Sequence, residues 1–269
     1  ELKPMHIPPL PLTRDLVLVG GGHTHALLLR KWGMNPLPGA RVTVINPGPT
    51  APYSGMLPGY IAGHYDRWEL DIDLVKLARF AGARVILGSA DRLDTDRQEI
   101  HVPRHPPVGF DVASVNVGIT SDMPAMPGFA EHAVPAKPLG PFAAKWAAYL
   151  EGSGPGSVVV IGGGVAGVEL VMAMAHALRA KGRTAQVTLI DNAFALTTTK
   201  PKAAATIRQA MQNLGVEVIE NAAISRIASD HVALQDGRTI PANFVTGAAG
   251  ARPYDWIEKT GLDLEDGFI

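Results

Sequence analysis

Two glycine-rich turns in this chain each follow an apolar run. One is Leu16-Val17-Leu18-Val19-Gly20-Gly21-Gly22-His23-Thr24-His25, and the other is Val158-Val159-Val160-Ile161-Gly162-Gly163-Gly164-Val165-Ala166-Gly167. Gly20 and Gly162 are 142 positions apart. Glycines between a buried strand and a helix let the backbone approach a pyrophosphate closely, and the free N–H groups of the helix start then bind its oxygens. One such turn carries little weight. Two, each opening a βαβ pattern, predict two dinucleotide sites, and two facing dinucleotides predict hydride transfer from a nicotinamide to a flavin.

In the second motif Gly162, Gly164 and Gly167 fill the three fingerprint positions, with Val165 at the helix start. The following strand ends at Asp191, 24 residues past Gly167. An acid at that strand end accepts hydrogen bonds from a ribose 2′-OH. Asn192 and Ala193 come next, so no base is poised for a 2′-phosphate, which favours NAD over NADP. The first motif matches at Gly20 and Gly22 but carries His25 at the third position, where a bulky residue pushes the helix from the strand unless the packing adapts. Its next strand ends at Asn46, which hydrogen-bonds ribose hydroxyls without a charge. His23 and His25 are two apart, point to different faces and have no acidic cluster or cysteine beside them. They read as capping or packing next to phosphate rather than as metal ligands, and no metal site is expected. Glu169 lies two residues past Gly167 in a strongly apolar helix. It is either held by a salt bridge or backbone hydrogen bond, or is a polar group near a nicotinamide.

The elements that must position these residues are those of an α/β protein. Strands are expected at Leu16–Val19, Val42–Ile45 and Arg84–Leu87, with helices over 22–32 and 73–81. Strand-like pieces follow near 92–93, 99–102 and 110–117. The stretch from Pro47 to Gly59 is too rich in Pro and Gly to be regular. From Ser121 to Pro141 the chain is read as an irregular domain crossing, followed by a helix over 142–150. The second βαβ unit runs from Val158 to Ile190. Thr199 is expected to cap a helix with Pro201 in its first turn and Gly215 at its end. A strand follows at Val216–Ile219, then a meander with Asp236-Gly237 as a hairpin turn. Phe110–Gly118 is echoed by Ala242–Gly250, with seven positions separating Asp111 from Gly118 and Asn243 from Gly250. Gly118 follows Gly20 by 98 residues and Gly250 follows Gly162 by 88. Turn, helix, strand, meander, strand and glycine thus occur twice in one order.

Composition narrows the classes. The 269 residues are 46% hydrophobic and 18% charged, which fits a globular protein with a substantial core. A net charge of −1 steers the chain toward neither nucleic acid nor anionic lipid. There is no cysteine, which excludes a redox-active disulfide, a catalytic thiolate and a thiolate metal site. Residues 1–9 lack the apolar core of a signal peptide. The apolar run Val158–Leu178 is long enough to span a bilayer, but its three glycines and Glu169 mark a strand, a turn and a buried helix. No Gly-x-Ser-x-Gly elbow exists, so serine-hydrolase chemistry has no support.

With these motifs the chain resembles the pyridine nucleotide–flavin oxidoreductases of the two-dinucleotide-domain type, in particular type II NADH dehydrogenases. It is most similar to the flavoprotein module found fused to selenide, water dikinase. Gly20–His25, Tyr53–Tyr65 and Gly162–Leu170 carry the resemblance. It implies two Rossmann-type FAD/NAD(P)-binding domains with parallel sheets and β-meander crossovers. Residues 1–120 and 247–269 would form the FAD-binding domain, and residues 121–246 an inserted NAD-binding domain. FAD would bind through Gly20, Gly22, His23 and Thr24 with ribose near Asn46, Ser54 and Gly55 would pass close to the flavin ring, and Gly118 and Gly250 would line the cofactors. NADH would bind through Gly162, Gly164, Val165, Gly167 and Asp191, with Glu169 near the nicotinamide as the catalytic residue.

The implied function is an FAD-dependent NADH oxidoreductase of cytoplasmic location that passes electrons to a small-molecule acceptor such as a quinone. The family also implies a third flavin segment, then a C-terminal domain that supplies a homodimer face or a peripheral contact with the inner membrane. The chain stops before these, at Gly261–Ile269, and so reads as truncated. The alternative reading is a non-catalytic nucleotide-binding module or partner of a selenium-metabolism enzyme. A sulfide- or disulfide-handling relative is disfavoured by the absence of cysteine.

Overall fold

The computed structural model describes residues 11–121 and 123–269. The reading of residues 1–9 lies outside them. The chain forms two compact units, one of residues 1–53, 71–118 and 253–269, the other of residues 54–70 and 119–252.

The first unit is built on four parallel strands, β1 (Arg14–Val19), β2 (Ala40–Asn46), β3 (Arg84–Leu87) and β4 (Val112–Val115), in the order β3-β2-β1-β4. Side chains alternate across the strand, and both faces of β1 are apolar. Val17 and Val19 face one cluster with Ile45, Ile86 and the meander residues Leu93, Ile100 and Val108. Leu18 faces the other, with Leu29 of helix α1 (His23–Met34) and Ala78 of helix α2 (Leu74–Ala81). Asp73 caps α2 by accepting from the Lys76 N–H at 2.8 Å, and Gly82 ends it at φ +63°. The result is three layers: meander, parallel sheet, helices.

The second unit repeats the plan. Five parallel strands are β5 (Val134–Pro135), β6 (Gly156–Ile161), β7 (Ala185–Ile190), β8 (Val216–Ile219) and β9 (Phe244–Gly247), in the order β5-β9-β6-β7-β8. Val158 and Val160 face the helix side, against Trp146 of α3 (Leu139–Leu150) and Met174 of α4 (Val165–Ala180). Val159 and Ile161 face the meander side, against Ile227, Val232 and Leu234. The Asp236-Gly237 turn joins two strands of that meander, with Gly237 at φ +90°. Helix α5 (Pro201–Asn213) packs beside β8.

Several sequence expectations are corrected. The Pro- and Gly-rich stretch 47–59 contains a short strand, Thr50–Pro52, and the start of a helix, Leu57–Ile61. Pro58 is tolerated because it lies in the first helical turn, where its missing N–H has no intrahelical partner. Residues 54–70 group with the second unit because Leu57, Ile61 and Leu70 sink into its core and the Trp146 indole N–H donates to the Ile61 carbonyl at 3.1 Å. The crossing at 121–141 is partly ordered. Phe129 is buried in a helical turn and β5 completes the sheet edge. Thr199 does not cap α5. Lys200 holds the cap position, and the Thr199 hydroxyl is buried with no hydrogen-bond partner among the described residues. No helix among the described residues is long and apolar enough to cross a membrane, and Val158–Leu178 is a strand, a turn and a helix.

Candidate functional site

Both glycine turns lie at the carboxyl end of a central strand and open a helix that no side chain caps. Each helix therefore begins with free N–H groups and the positive end of its dipole, the arrangement that binds phosphate. Neither first turn contains an acid that would repel an anion.

In the first unit Gly20 sits at φ +92°, and a Cβ there would strike the backbone of Asn116. A Cβ on Gly22 would strike the Asn116 amide. These contacts exclude side chains and keep the turn close to its neighbours, so the residues present fit a pyrophosphate cradle. His23 and Thr24 stand exposed at the start of α1, and His23 lies 5.8 Å from the Tyr53 ring, centroid to centroid. His25 does not push the helix away. It is fully buried, with Nδ1 2.6 Å from the Gly20 carbonyl and Nε2 2.8 Å from the Ser114 hydroxyl. A carbonyl only accepts, so Nδ1 carries the proton and the serine donates to Nε2. Burial holds the imidazole pKa below its ordinary value.

Asn46 is also buried. Its Oδ1 accepts from the Gly21 N–H at 2.9 Å, and its Nδ2 donates to the Gly48 and Thr50 carbonyls. The amide binds the glycine turn to the loop after β2. Asn116 was not singled out from the sequence. Only its crowding against Gly20 and Gly22 shows that it shapes the turn, and no spacing rule marks it.

In the second unit Gly162 sits at φ +107°, with Ala249 3.0 Å from where its Cβ would stand. A Cβ on Gly167 would fall on the Gly162 carbonyl, so α4 packs tightly on its strand only with glycine there. Gly164, by contrast, faces open space, and Val165 and Ala166 are exposed beside it. Asp191 ends β7. One carboxylate oxygen accepts from the Gly163 N–H, and the other accepts from the Ala193 N–H at 2.7 Å. Asn46 and Asp191 thus make the same bond to the middle glycine of their own turns. Behind Asp191, Glu220 accepts from the Ala195 N–H at 2.7 Å and from Arg208 at 2.6 Å. The Arg208 hydrogen bond holds the Glu220 pKa below its ordinary value.

The second unit also contains a cavity of about 350 Å³. Ser54, Gly55, Lys137, Glu169 and Ala249 are among its walls. The structure thus brings Ser54, Gly55 and Glu169 together. Glu169 is exposed to the cavity and has no ion-pair partner among the described residues, so the salt-bridge reading of this residue is not what the fold shows. Gly250, at φ +69°, ends the turn after β9, and Gly118, at φ +78°, ends the corresponding turn after β4. No group of three or more His, Asp or Glu residues placed to hold a metal occurs among the described residues.

Comparison with known proteins gives this architecture its family. Residues 14–269 match the pyridine nucleotide-disulphide oxidoreductase family. Among solved structures, reduced CoADR-RHD from Bacillus anthracis superposes with a TM-score of 0.82 at 22% identity, over 95% of this chain and 47% of that one. A ferredoxin reductase from Rhodopseudomonas palustris gives 0.81 at 17% identity, over 94% and 63%. An NAD-dependent persulfide reductase from A. fulgidus gives 0.78 at 21%, over 93% and 49%. The chain spans less than two thirds of the length of each. It belongs to the pyridine nucleotide-disulphide oxidoreductase family, whose members use FAD and NAD(P)H.

Proposed function

From that membership we propose that this chain is the nucleotide-binding part of an FAD-dependent NADH oxidoreductase. FAD binds the turn at Gly20 and Gly22, and NADH binds the turn at Gly162, Gly164 and Gly167. The observation that carries the NADH half is Asp191, an acid at the end of β7 beside an open, uncapped helix start. The acid accepts from ribose hydroxyls and repels a 2′-phosphate, so NADH is preferred to NADPH. Bound FAD supplies the hydride acceptor. The chain's own residues bind and orient: Gly164 leaves room for the pyrophosphate, and Glu169 offers an acceptor for a donor on the nicotinamide.

Because the chain has no cysteine, no dithiol relays the electrons within it. The Tyr53–Tyr65 stretch, similar to the module fused to selenide, water dikinase, supports a small-molecule acceptor such as a quinone or a selenium compound.

Gly164 supplies the test. Its backbone angles of −68° and 172° are open to any residue, and a Cβ there meets nothing. Gly164→Val should therefore cost only about 1 kcal/mol of stability, the loss of a favoured N-cap residue, yet fill the space of a phosphate. Calorimetric titration should show NAD+ binding at least about tenfold weaker than in the wild type. Unchanged affinity would remove this turn from the nucleotide site.

A further inference from the structure

Lys137 lines the cavity described above but has been given no role in it. It follows β5, whose residues Val134 and Pro135 pair with Thr246 and Gly247 of β9. The Ala136 N–H donates to the Gly247 carbonyl at 3.1 Å, and α3 begins at Leu139. The lysine is therefore fixed at the carboxyl end of the sheet, just past its edge strand and beside β9, on the side where open parallel sheets bind their ligands. Its side chain is half-buried in the wall of the cavity that Glu169 also lines. No carboxylate or carbonyl partners its ammonium among the described residues, and burial alone pushes its pKa below the ordinary lysine value. A partly desolvated ammonium that lines a cavity without a partner is free to donate to a ligand there.

The rest of the lining decides which ligand. Leu57, Pro58, Ile119 and Leu170 make the walls apolar. The charged side chains among the lining are one cation and one carboxylate. A free anion would gain from Lys137 and lose to Glu169. A flat neutral ring bearing an amide matches both: the amide oxygen accepts from an ammonium, and the amide N–H donates to a carboxylate.

We propose that Lys137 and Glu169 together read the two ends of the nicotinamide carboxamide, Lys137 donating to its oxygen and Glu169 accepting from its amino group. This rests on the NADH reading above and assigns Lys137 as the residue that sets which way the ring lies. The ring is thereby held in one orientation by two opposite bonds.

The test compares NADH, whose ring is neutral, with ADP-ribose, which carries the same adenosine and pyrophosphate but no nicotinamide. Dissociation constants are measured by calorimetry on the full 269-residue chain. Wild-type protein should bind NADH about tenfold or more tighter than ADP-ribose. Lys137→Met should abolish that gap and leave ADP-ribose affinity unchanged, which also shows that the variant is folded. Lys137→Arg, which keeps a cationic donor, should restore part of the gap. If Lys137→Met keeps the gap, or if the wild type binds both ligands equally, the carboxamide role is overturned while the nucleotide site stands. If the wild type binds neither, the NADH reading itself fails and the proposal falls with it.

Discussion

His25 shows how one side chain can break a fingerprint and still preserve its geometry. The third position of the first turn ordinarily favours a small residue because helix and strand must touch. Here the imidazole is buried and bonded at both nitrogens, to Gly20 in the turn and to Ser114 on β4. Its pKa is lowered in the folded state, so the unfolded chain binds the proton more readily. The neutral ring's contribution is complete above the unfolded value of about 6.5 and is lost as pH falls below it toward the folded value. His25→Ala should cost about 1–3 kcal/mol at pH 7.5, by leaving the serine and the carbonyl without this partner. Denaturant unfolding at pH 7.5 and pH 5.5 should show the gap between wild type and variant narrowing in acid. A gap independent of pH would mean that the ring is not held neutral. The departure at His25 was legible in the sequence. Its resolution was not, because Ser114 lies 89 positions away and no local pattern joins them.

At the scale of elements, the echoed segments explain themselves once the strands are paired. Asp111 accepts from the Asp15 N–H at 2.7 Å, and Asn243 accepts from the Ser157 N–H at 3.0 Å. The backbone N–H groups of Asp111 and Asn243 donate in return to the carbonyls of the same two residues, both at 2.9 Å. Each echoed residue therefore locks the first residues of β4 or β9 to those of β1 or β6. Asn243→Ala should destabilise the protein by about 1 kcal/mol, whereas Asn243→Asp, which keeps the acceptor and matches the first unit, should restore most of it. Equal thermal melts for wild type and Asn243→Ala would contradict this bracing role.

The long strands, the helices and the hairpin turn were readable because period and turn chemistry agree over many residues. The short strands Thr50–Pro52 and β5 and the helix Leu57–Ile61 were not, because Pro and Gly dominate them locally and only tertiary pairing makes them regular. Thr199 is a related case. Its residue type favours a cap, but the Thr199 N–H closes a turn on the Leu196 carbonyl and the helix starts one residue later.

Across the whole molecule the same three-layer design is used twice, with alternate residues of each central strand feeding a meander-side core and a helix-side core. In each copy the turn after the central strand holds its middle glycine through the residue that ends the next strand, Asn46 in one and Asp191 in the other. That difference, an amide against a carboxylate, stands beside His25 against Gly167 at the third position of the turn, between the unit proposed for FAD and the unit proposed for NADH. The glycine motifs and the order of elements made the repeated plan legible. Lys137 was invisible in the sequence, since a lone lysine before a proline has no signature until its strand places it in a cavity.

The central claim is that both nucleotides bind and react. The most direct measurement is the visible spectrum of the FAD-reconstituted chain during anaerobic titration with NADH. The expected result is a flavin absorption band that bleaches as NADH is added and reaches completion near one equivalent. A flavin band unmoved by NADH, or no flavin retained after reconstitution, would contradict it.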